Sequence, residues 1–566
     1  MRDSPVDPIT VEVIGNALLS VVEEMGEALV RAAYSDNIKE RRDDSTALFD
    51  AEGRLLAQAA HIPIHLGSLL GVVEAVVRRY RREDIHDGDI FLGNDAYEAG
   101  GTHLPDLVLT APVFYQGRLI GFVANLGHHA DFFDRGEGRH IWQEGLRIPA
   151  IRIVERGQIR QDVLDLILLN CQLPRERLGD LRAQIAANRL GSRRLGELCD
   201  EYGVALLFAA AGALLDATER RMRAGLRRIP DGVYTFTDYA DGEYFETPLE
   251  LRIRVTMRDG DVTLDFTGCP PQGPHPVNMQ WTALLATCYY ALKTLVDPEI
   301  PANSGLHRAV HVAAPPGTIV NCVAPAAVEY RVQTCQRVVD LIHGALAPAL
   351  AEHVTAAHNG SNTALGFYGV NPRTGLPFRY WETVGGGFGA RATKDGLDGV
   401  QVHITNTTNL PIEVLEATYP LLVRRYELAA DSGGPGKWRG GLGVVRHIEV
   451  LEGDLAGGGR VTRVVVPPWG LFGGKPGGTH DVRVVRADGA VEEPLRATRA
   501  LRRILCQPGD GLAFTTSGGG GYGEPKNRDR WRVRLDLREE LISRRSAIED
   551  YGLSPEDADH ALEQTD

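Results

Sequence analysis

GNDAYEAGGTHLPDLVLTAPVFYQGRLIGFVANLGHHAD, residues 93–131, holds two short β-rich runs, DLVLTAPVF and LIGFVANLG, separated by a glycine-containing turn. The pattern predicts a hairpin. Pro105 lies between His103 and Asp106 and disfavours a continuous helix there. The HxxD pair therefore sits on a rigid turn that leads into the first strand. The second strand ends in His128-His129. A hairpin returns its exit end to its entry turn, so His128 is expected near His103 and Asp106. Two imidazoles and one carboxylate are enough to hold a catalytic divalent metal with an open position. A buried, hydrogen-bonded histidine is the alternative at each position, and spacing alone does not decide between them.

Upstream, residues 9–34 read as one amphipathic helix. Ile14, Leu18, Val21, Val22, Met25, Leu29 and Ala33 recur at intervals of three and four. Asp7-Pro8 supplies a cap and a first helical residue. A second helix is expected from Leu69 to Tyr80, after HIPIHLGS at 61–68. His61 and His65 are separated by four in a proline-containing segment and are read as packing or substrate-lining residues. Residues 175–226 return to helix. From about Gly232 the pattern is mostly strand, with a hairpin turn at Arg258-Asp259-Gly260-Asp261 and helices near 278–297 and 332–350.

The fold class expected is α+β. A helical and mixed N-terminal region, 1–230, precedes a β-rich body with inserted helices, 231–530, and a strand-helix tail, 531–566. The body is rich in glycine, at 384–391, 431–443, 471–478 and 517–523. Tight turns between strands explain these stretches. None is a phosphate loop: GGPGKWRGG has Trp438 where a Ser or Thr would ligate magnesium.

The 566 residues are enough for several domains. Lys plus Arg total 61 against 75 Asp plus Glu, a formal charge of −14. A chain this acidic has no general attraction for phosphate backbones, so nucleic acid is not an expected partner. No membrane association is expected: the strongest apolar run, Val204 to Leu215, is too short to span a bilayer and reads as a buried helix. The N-terminus lacks the basic and apolar regions of a secretory signal. The seven cysteines are scattered with no CxxC pair, which fits reduced thiols in a cytoplasmic protein.

Ten ordered segments resemble the hydantoinase B/oxoprolinase family over almost the whole chain. They include NIKERRDDSTALFD at 37–50, HIPIHLGS at 61–68, GNDAYEAGGTHLPD at 93–106, GHHAD at 127–131 and QEGLRIPA at 143–150. PVNMQ at 276–280, ETVGGGFGAR at 382–391, NTTNLPIEVLEATYP at 406–420, DSGGPGKWRGGLG at 431–443 and SGGGGYGEP at 517–525 complete the set. The resemblance implies that His103, Asp106 and His128 are metal ligands and that an aspartate of the ER-x-D-x-S segment, here Asp43, joins them. The metal would be zinc, manganese or iron, since mixed His/Asp ligands suit all three. His129 or Asp131 would orient a ligand or shuttle a proton.

The resemblance further implies a two-component enzyme. An ATP-binding partner of the hydantoinase A/oxoprolinase type phosphorylates a cyclic amide, a hydantoin, oxoproline or lactam, and this chain opens the ring. A component of an ATP-dependent ketone carboxylase is the alternative, and a non-catalytic scaffold a third. Two departures stand out. ERRDDS puts Asp44 where the family has an aromatic residue, so Asp44 competes with Asp43. GHHAD continues into Phe132-Phe133-Asp134 where the family has Ile-Gly-Gly, which implies an altered substrate wall.

Overall fold

A computed structural model describes residues 6–129, 138–497, 501 and 503–563. The fold is mixed α+β, with four sheets among the described residues. The chain forms two compact units, one of residues 1–234 with 254–335, the other of 235–253 with 336–566.

The first unit is built on a seven-stranded antiparallel sheet. Its strands are β1 (Asp44–Asp50), β2 (Leu55–Gln58), β3 (Ile90–Gly93), β4 (Asp106–Tyr115), β5 (Arg118–His128), β6 (Ile151–Glu155) and β7 (Gln158–Ile159). Their order is β2-β1-β5-β4-β3-β6-β7. The helices of its N-terminal part are α1 (Pro8–Ala32), α2 (Asp36–Lys39), α3 (His65–Leu70), α4 (Val72–Arg79), α5 (Gln161–Leu169), α6 (Pro174–Tyr202) and α7 (Val204–Leu226). Alternation along the strands sorts the core into two layers. Leu48, Leu107, Leu109 and Val123 pack with Ile14, Leu18 and Val22 of α1 and Leu181 and Ile185 of α6. Ala47, Phe49, Val108, Phe122 and Ala124 pack on the other side with Leu69, Val72 and Val73.

The expected long helix is α1. Asp7 accepts the Thr10 N–H at 3.0 Å, and Pro8 takes the first helical position. The expected second helix is two pieces, α3 and α4, which meet at Gly71. It starts earlier than the sequence suggests, because Pro63 precedes the first turn and its missing N–H costs nothing there. The run from Val204 is one half of α7: Leu207, Ala210, Ala211 and Leu215 are buried, while Leu206 is exposed. No single helix among the described residues is long and apolar enough to cross a membrane. The seven cysteines are free thiols, six of them buried.

The turn expected at Arg258–Asp261 joins paired strands, with Asp259 and Gly260 both at positive φ. That backbone matches the twist of a two-residue hairpin.

The second unit contains two antiparallel sheets. One runs Leu376–Val384, Thr363–Asn371, Leu455–Arg460, Ile504–Cys506. The other runs Leu421–Leu428, Val444–Val450, Gly511–Thr515, Asp481–Val485, Val491–Glu492. The division into units differs from the one read in the sequence. Residues 254–335 fold with the N-terminal unit, and 531–566 belong to the second. The tail is three short helices, Arg530–Arg538, Arg544–Glu549 and Pro555–Glu563, in place of a strand and a helix. Val533 and Leu537, four apart, share one helical face and bury with Ala547, Tyr551 and Ala558.

Three histidines outside the motif region are held neutral by burial: His307 down to about 4, His343 and His480 to about 3. Unfolded, each titrates near 6.5. Their folded pKa values lie below that, so the unfolded chain binds more protons as pH falls. Stability is complete above about pH 6.5 and is lost progressively on acidification towards pH 4. At pH 5 each histidine costs about 2 kcal/mol. Thermal melting between pH 7.5 and 5 should show a steep fall in Tm. His343→Gln should flatten that fall, and a Tm independent of pH would contradict it.

Candidate metal centre

Three neighbouring strands, β1, β5 and β4, deliver the motif residues to one end of the first sheet. Asp106 opens β4 and His128 closes β5, and the two are direct cross-strand partners. The His128 N–H donates to the Asp43 carbonyl at 3.0 Å, which ties the start of β1 to the same place. His103 reaches the cluster from the turn before β4. That turn needs its glycines: Gly100 has φ +77, and a Cβ at Gly101 would collide with the Asn94 carbonyl.

The ligand atoms of His103, Asp106 and His128 lie within 4.8 Å of one another, and all three residues are buried. The two imidazole rings are 5.1 Å apart between centroids. Asp43 lies alongside, its carboxylate 3.9 Å from His128 Nδ1 and 3.5 Å from His65 Nε2. Asp44 projects to the other face of β1. It is fully buried and 3.7 Å from His61 Nδ1, and His61 in turn packs on Gly26 of α1. Burial and the adjacent Asp43 raise the Asp44 pKa well above the usual carboxylate range. Of the two aspartates, Asp43 is the one beside His128.

The hydrogen bonds define what the cluster can hold. His103 Nδ1 lies 3.1 Å from the Glu329 carbonyl. A carbonyl only accepts, so Nδ1 carries a proton. Nε2 faces Asp106 Oδ1 at 2.9 Å. Burial and Arg331 lower the His103 pKa. Burial raises that of Asp106, but His103, His65 and Arg331 outweigh it and hold the carboxyl well below its usual value. With Nδ1 turned to the Glu329 carbonyl, His103 Nε2 and Asp106 Oδ1 form a buried pair 2.9 Å apart. A cation at this point satisfies both, so the donor set fits a divalent ion.

The other oxygen of Asp106 is fully committed. Oδ2 accepts from Ser68 Oγ at 3.1 Å, Thr102 Oγ1 at 3.3 Å and Arg331 at 3.2 Å. These bonds turn Oδ1 towards His103. Asn37 serves His128 in a similar way. Its amide donates to the His128 carbonyl at 2.7 Å and lies 3.1 Å from Nδ1, while Arg41 donates to its oxygen.

His129 faces the opposite side of the sheet, as alternation requires. Its Nε2 pairs with Gln184 of α6 at 3.0 Å, its N–H donates to the Pro105 carbonyl, and burial pushes its pKa down to about 4. Its ring therefore sits away from the face that carries His103 and His128. Asp131 and Phe132-Phe133-Asp134 lie outside the described residues.

Sequence reasoning left several contributors without a role. Asn37, Arg41 and Ser68 lie inside segments already singled out, so their neighbourhood was visible although their contacts were not. His65 was set aside because of Pro63. Glu329 and Arg331 sit in AVEYRVQ, where nothing in the sequence marks them.

A profile of the family described as Hydantoinase B/oxoprolinase matches residues 7–525. The B component of a putative D-/L-hydantoinase from Pseudomonas sp. is 33% identical over 98% of this chain and 96% of its own. The beta component of the caprolactamase of Pseudomonas jessenii is 33% identical over 97% of this chain and 96% of its own. The crystal structure of the ATP-dependent caprolactamase from that organism superposes with a TM-score of 0.87 at 30% identity, over 98% of this chain and 99% of that one. A nucleotide-free acetone carboxylase structure shares the fold, with a TM-score of 0.90 at 20% identity over 99% of this chain and 83% of that one. With the sequence match and the fold in agreement across its length, this chain belongs to the Hydantoinase B/oxoprolinase family.

Proposed function

We propose that this chain is the metal-binding subunit of an ATP-dependent cyclic amide hydrolase. A partner of the hydantoinase A type would phosphorylate the substrate, and this chain would open the ring. The observation that carries the reading is the convergence of the buried His103, Asp106 and His128 ligand atoms within 4.8 Å of one another, with Asp43 beside them. The names of the relatives support the reaction class: the B component of a hydantoinase and the beta component of a caprolactamase, whose crystal structure is described as ATP-dependent.

The chemistry is consistent with this division of labour. A ring amide is resonance-stabilised, and its oxygen is a poor leaving group. Phosphorylation of that oxygen makes an electrophilic imidate phosphate: one water adds to the ring carbon, the C–N bond breaks as the nitrogen takes a proton and leaves as an amine, and a second water releases phosphate from the resulting acyl phosphate. His103, Asp106, His128 and Asp43 would hold a divalent ion, which supplies Lewis acidity at the reacting carbon or lowers the pKa of water. The chain's own groups fix the geometry. Ser68, Thr102 and Arg331 hold Asp106 with one oxygen forward, and the Glu329 carbonyl fixes the tautomer of His103. Their burial excludes bulk water and strengthens each interaction. His129 braces that end of the sheet against Gln184.

The test is reconstitution of the full chain with an A-type ATPase partner, followed by a screen of hydantoins, oxoproline, lactams and ketones for substrate-dependent ADP release, with and without bicarbonate. A ring-opened product formed without bicarbonate is expected. Turnover only of a ketone with bicarbonate would replace this reading by the carboxylase one. Full activity of a rigorously metal-free complex would remove the metal from it.

A further inference from the structure

We infer that Glu144 is a positioning residue for His103, acting through the backbone of residues 328 and 329. The inference rests on the metal-centre reading above. Glu144 follows the short turn Ile141–Gln143, which is anchored by Ile141 in a buried cluster with Leu104, Ala326 and Val328. Its side chain is buried, and one oxygen, Oε1, accepts two backbone N–H groups, from Val328 at 2.6 Å and Glu329 at 2.8 Å. The carbonyl of Glu329 is the acceptor for His103 Nδ1. One carboxylate oxygen therefore sets the peptide that dictates which imidazole nitrogen carries the proton.

Other contacts clamp the same segment on both sides. The Tyr97 hydroxyl donates to the Ala326 carbonyl at 2.7 Å, Asn278 donates to the Ala327 carbonyl at 2.9 Å, and the Tyr330 N–H donates to the Pro276 carbonyl at 2.7 Å. Between them Glu144 receives the N–H groups of 328 and 329. A buried peptide N–H without an acceptor is costly, so removal of Oε1 should turn this peptide. The Glu329 carbonyl would move with it.

The second oxygen of Glu144, Oε2, is buried with no hydrogen-bond partner among the described residues. An acceptor at the Oε1 position is therefore what the geometry uses. A glutamine keeps a carbonyl oxygen there at the same reach. An aspartate keeps the carboxyl group but withdraws the acceptor by one methylene. The two substitutions separate the position of the acceptor from the identity of the group that carries it.

The experiment uses the full chain and two readouts. The first is the tautomer of His103 in the metal-free protein labelled with ¹⁵N-histidine, its signal identified by loss in His103→Ala. The second is zinc affinity by competition with a chromophoric chelator. Glu144→Gln should keep the Nδ1–H tautomer and the affinity of the unsubstituted chain. Glu144→Asp should give a mixed tautomer and weaken zinc binding by about ten- to a hundredfold, the range for residues that orient a metal ligand from behind. Glu144→Asp indistinguishable from the unsubstituted chain would overturn the inference, and so would Glu144→Gln as impaired as Glu144→Asp. An unsubstituted chain that takes up no zinc would sink the metal centre instead, and the tautomer readout would still decide on Glu144.

Discussion

His103→Ala is expected to leave the purified chain without a divalent ion and to take ring opening by the reconstituted complex below detection. The substitution removes the one nitrogen that faces Asp106 Oδ1 at 2.9 Å. The remaining donors are Asp106, His128 and Asp43, and the first two are held in place. Asp106 is tied by Ser68, Thr102 and Arg331, and His128 by Asn37 and by its pairing across from Asp106. Residues that only orient a ligand are worth about ten- to a hundredfold in affinity. Loss of a ligand itself should exceed about a hundredfold by the same measure. The fold should survive, because the substitution lies in the turn before β4 and leaves the pairing of β4 with β5 intact. ATP binding by the partner should be untouched, and Cys171→Ala, at a half-buried thiol remote in sequence from the motifs, should change neither metal nor turnover. Metal analysis and a turnover assay decide the matter: His103→Ala with normal metal content would remove the central ligand from the proposal.

How much of this was legible in the sequence depends on how local each feature is. The Asp7-Pro8 start of α1 and the hairpin of β4 and β5 are local, and both are where the spacing put them. The hairpin also brings His103, Asp106 and His128 together, because cross-strand pairing follows from strand period and turn position alone. Choosing between adjacent residues was harder. Asp43 and Asp44, like His128 and His129, point to opposite faces of one sheet, and the sequence does not say which face meets which helix. Pro63 misled in another way, since a proline just before a helix is harmless and His65 was set aside on its account. What could not be read was the return of residues 254–335 to the first unit. That return supplies the Glu329 carbonyl and Arg331, both more than 200 positions from the residues they touch. No periodicity reports a contact at that separation. The tail WRVRLDL misread as strand for a related reason: its charges alternate, but Val533 and Leu537 decide its burial, four residues apart.

The glycine stretches of the second unit hold the other large effect, and their physical basis is not the expected one. The turn types that call for glycine require positive φ, yet among the glycines of 384–391, 431–443, 471–478 and 517–523 only Gly473 and Gly523 have it. The others lie in backbone segments that run against one another. Gly387 donates to the Ser517 carbonyl, Gly519 to that of Gly441, Gly441 to that of Phe388, Gly434 to that of Gly519 and Leu471 to that of Gly521. No room remains for side chains: a Cβ on Gly518 would overlap the Ser432 carbonyl, and one on Gly440 the Gly519 carbonyl. The obstructing atoms are backbone and are themselves hydrogen-bonded, so they cannot rotate away as a side chain would. Gly518→Ala should therefore cost more than the usual overpacking penalty of about 1–3 kcal/mol. For a unit of this size that is a fall in Tm of at least about 6–12 °C, or no folded second unit at all. Gly212→Ala is the matched control. That glycine lies within α7 with no atom near the position of a Cβ, so the added methyl should stabilise its helix by about 0.5–1 kcal/mol. The same chemical change is thus expected to have opposite signs at the two sites. Melting curves of both variants measure it directly. A Gly518→Ala chain as stable as Gly212→Ala would mean that these segments are loose turns after all, free to accept a side chain.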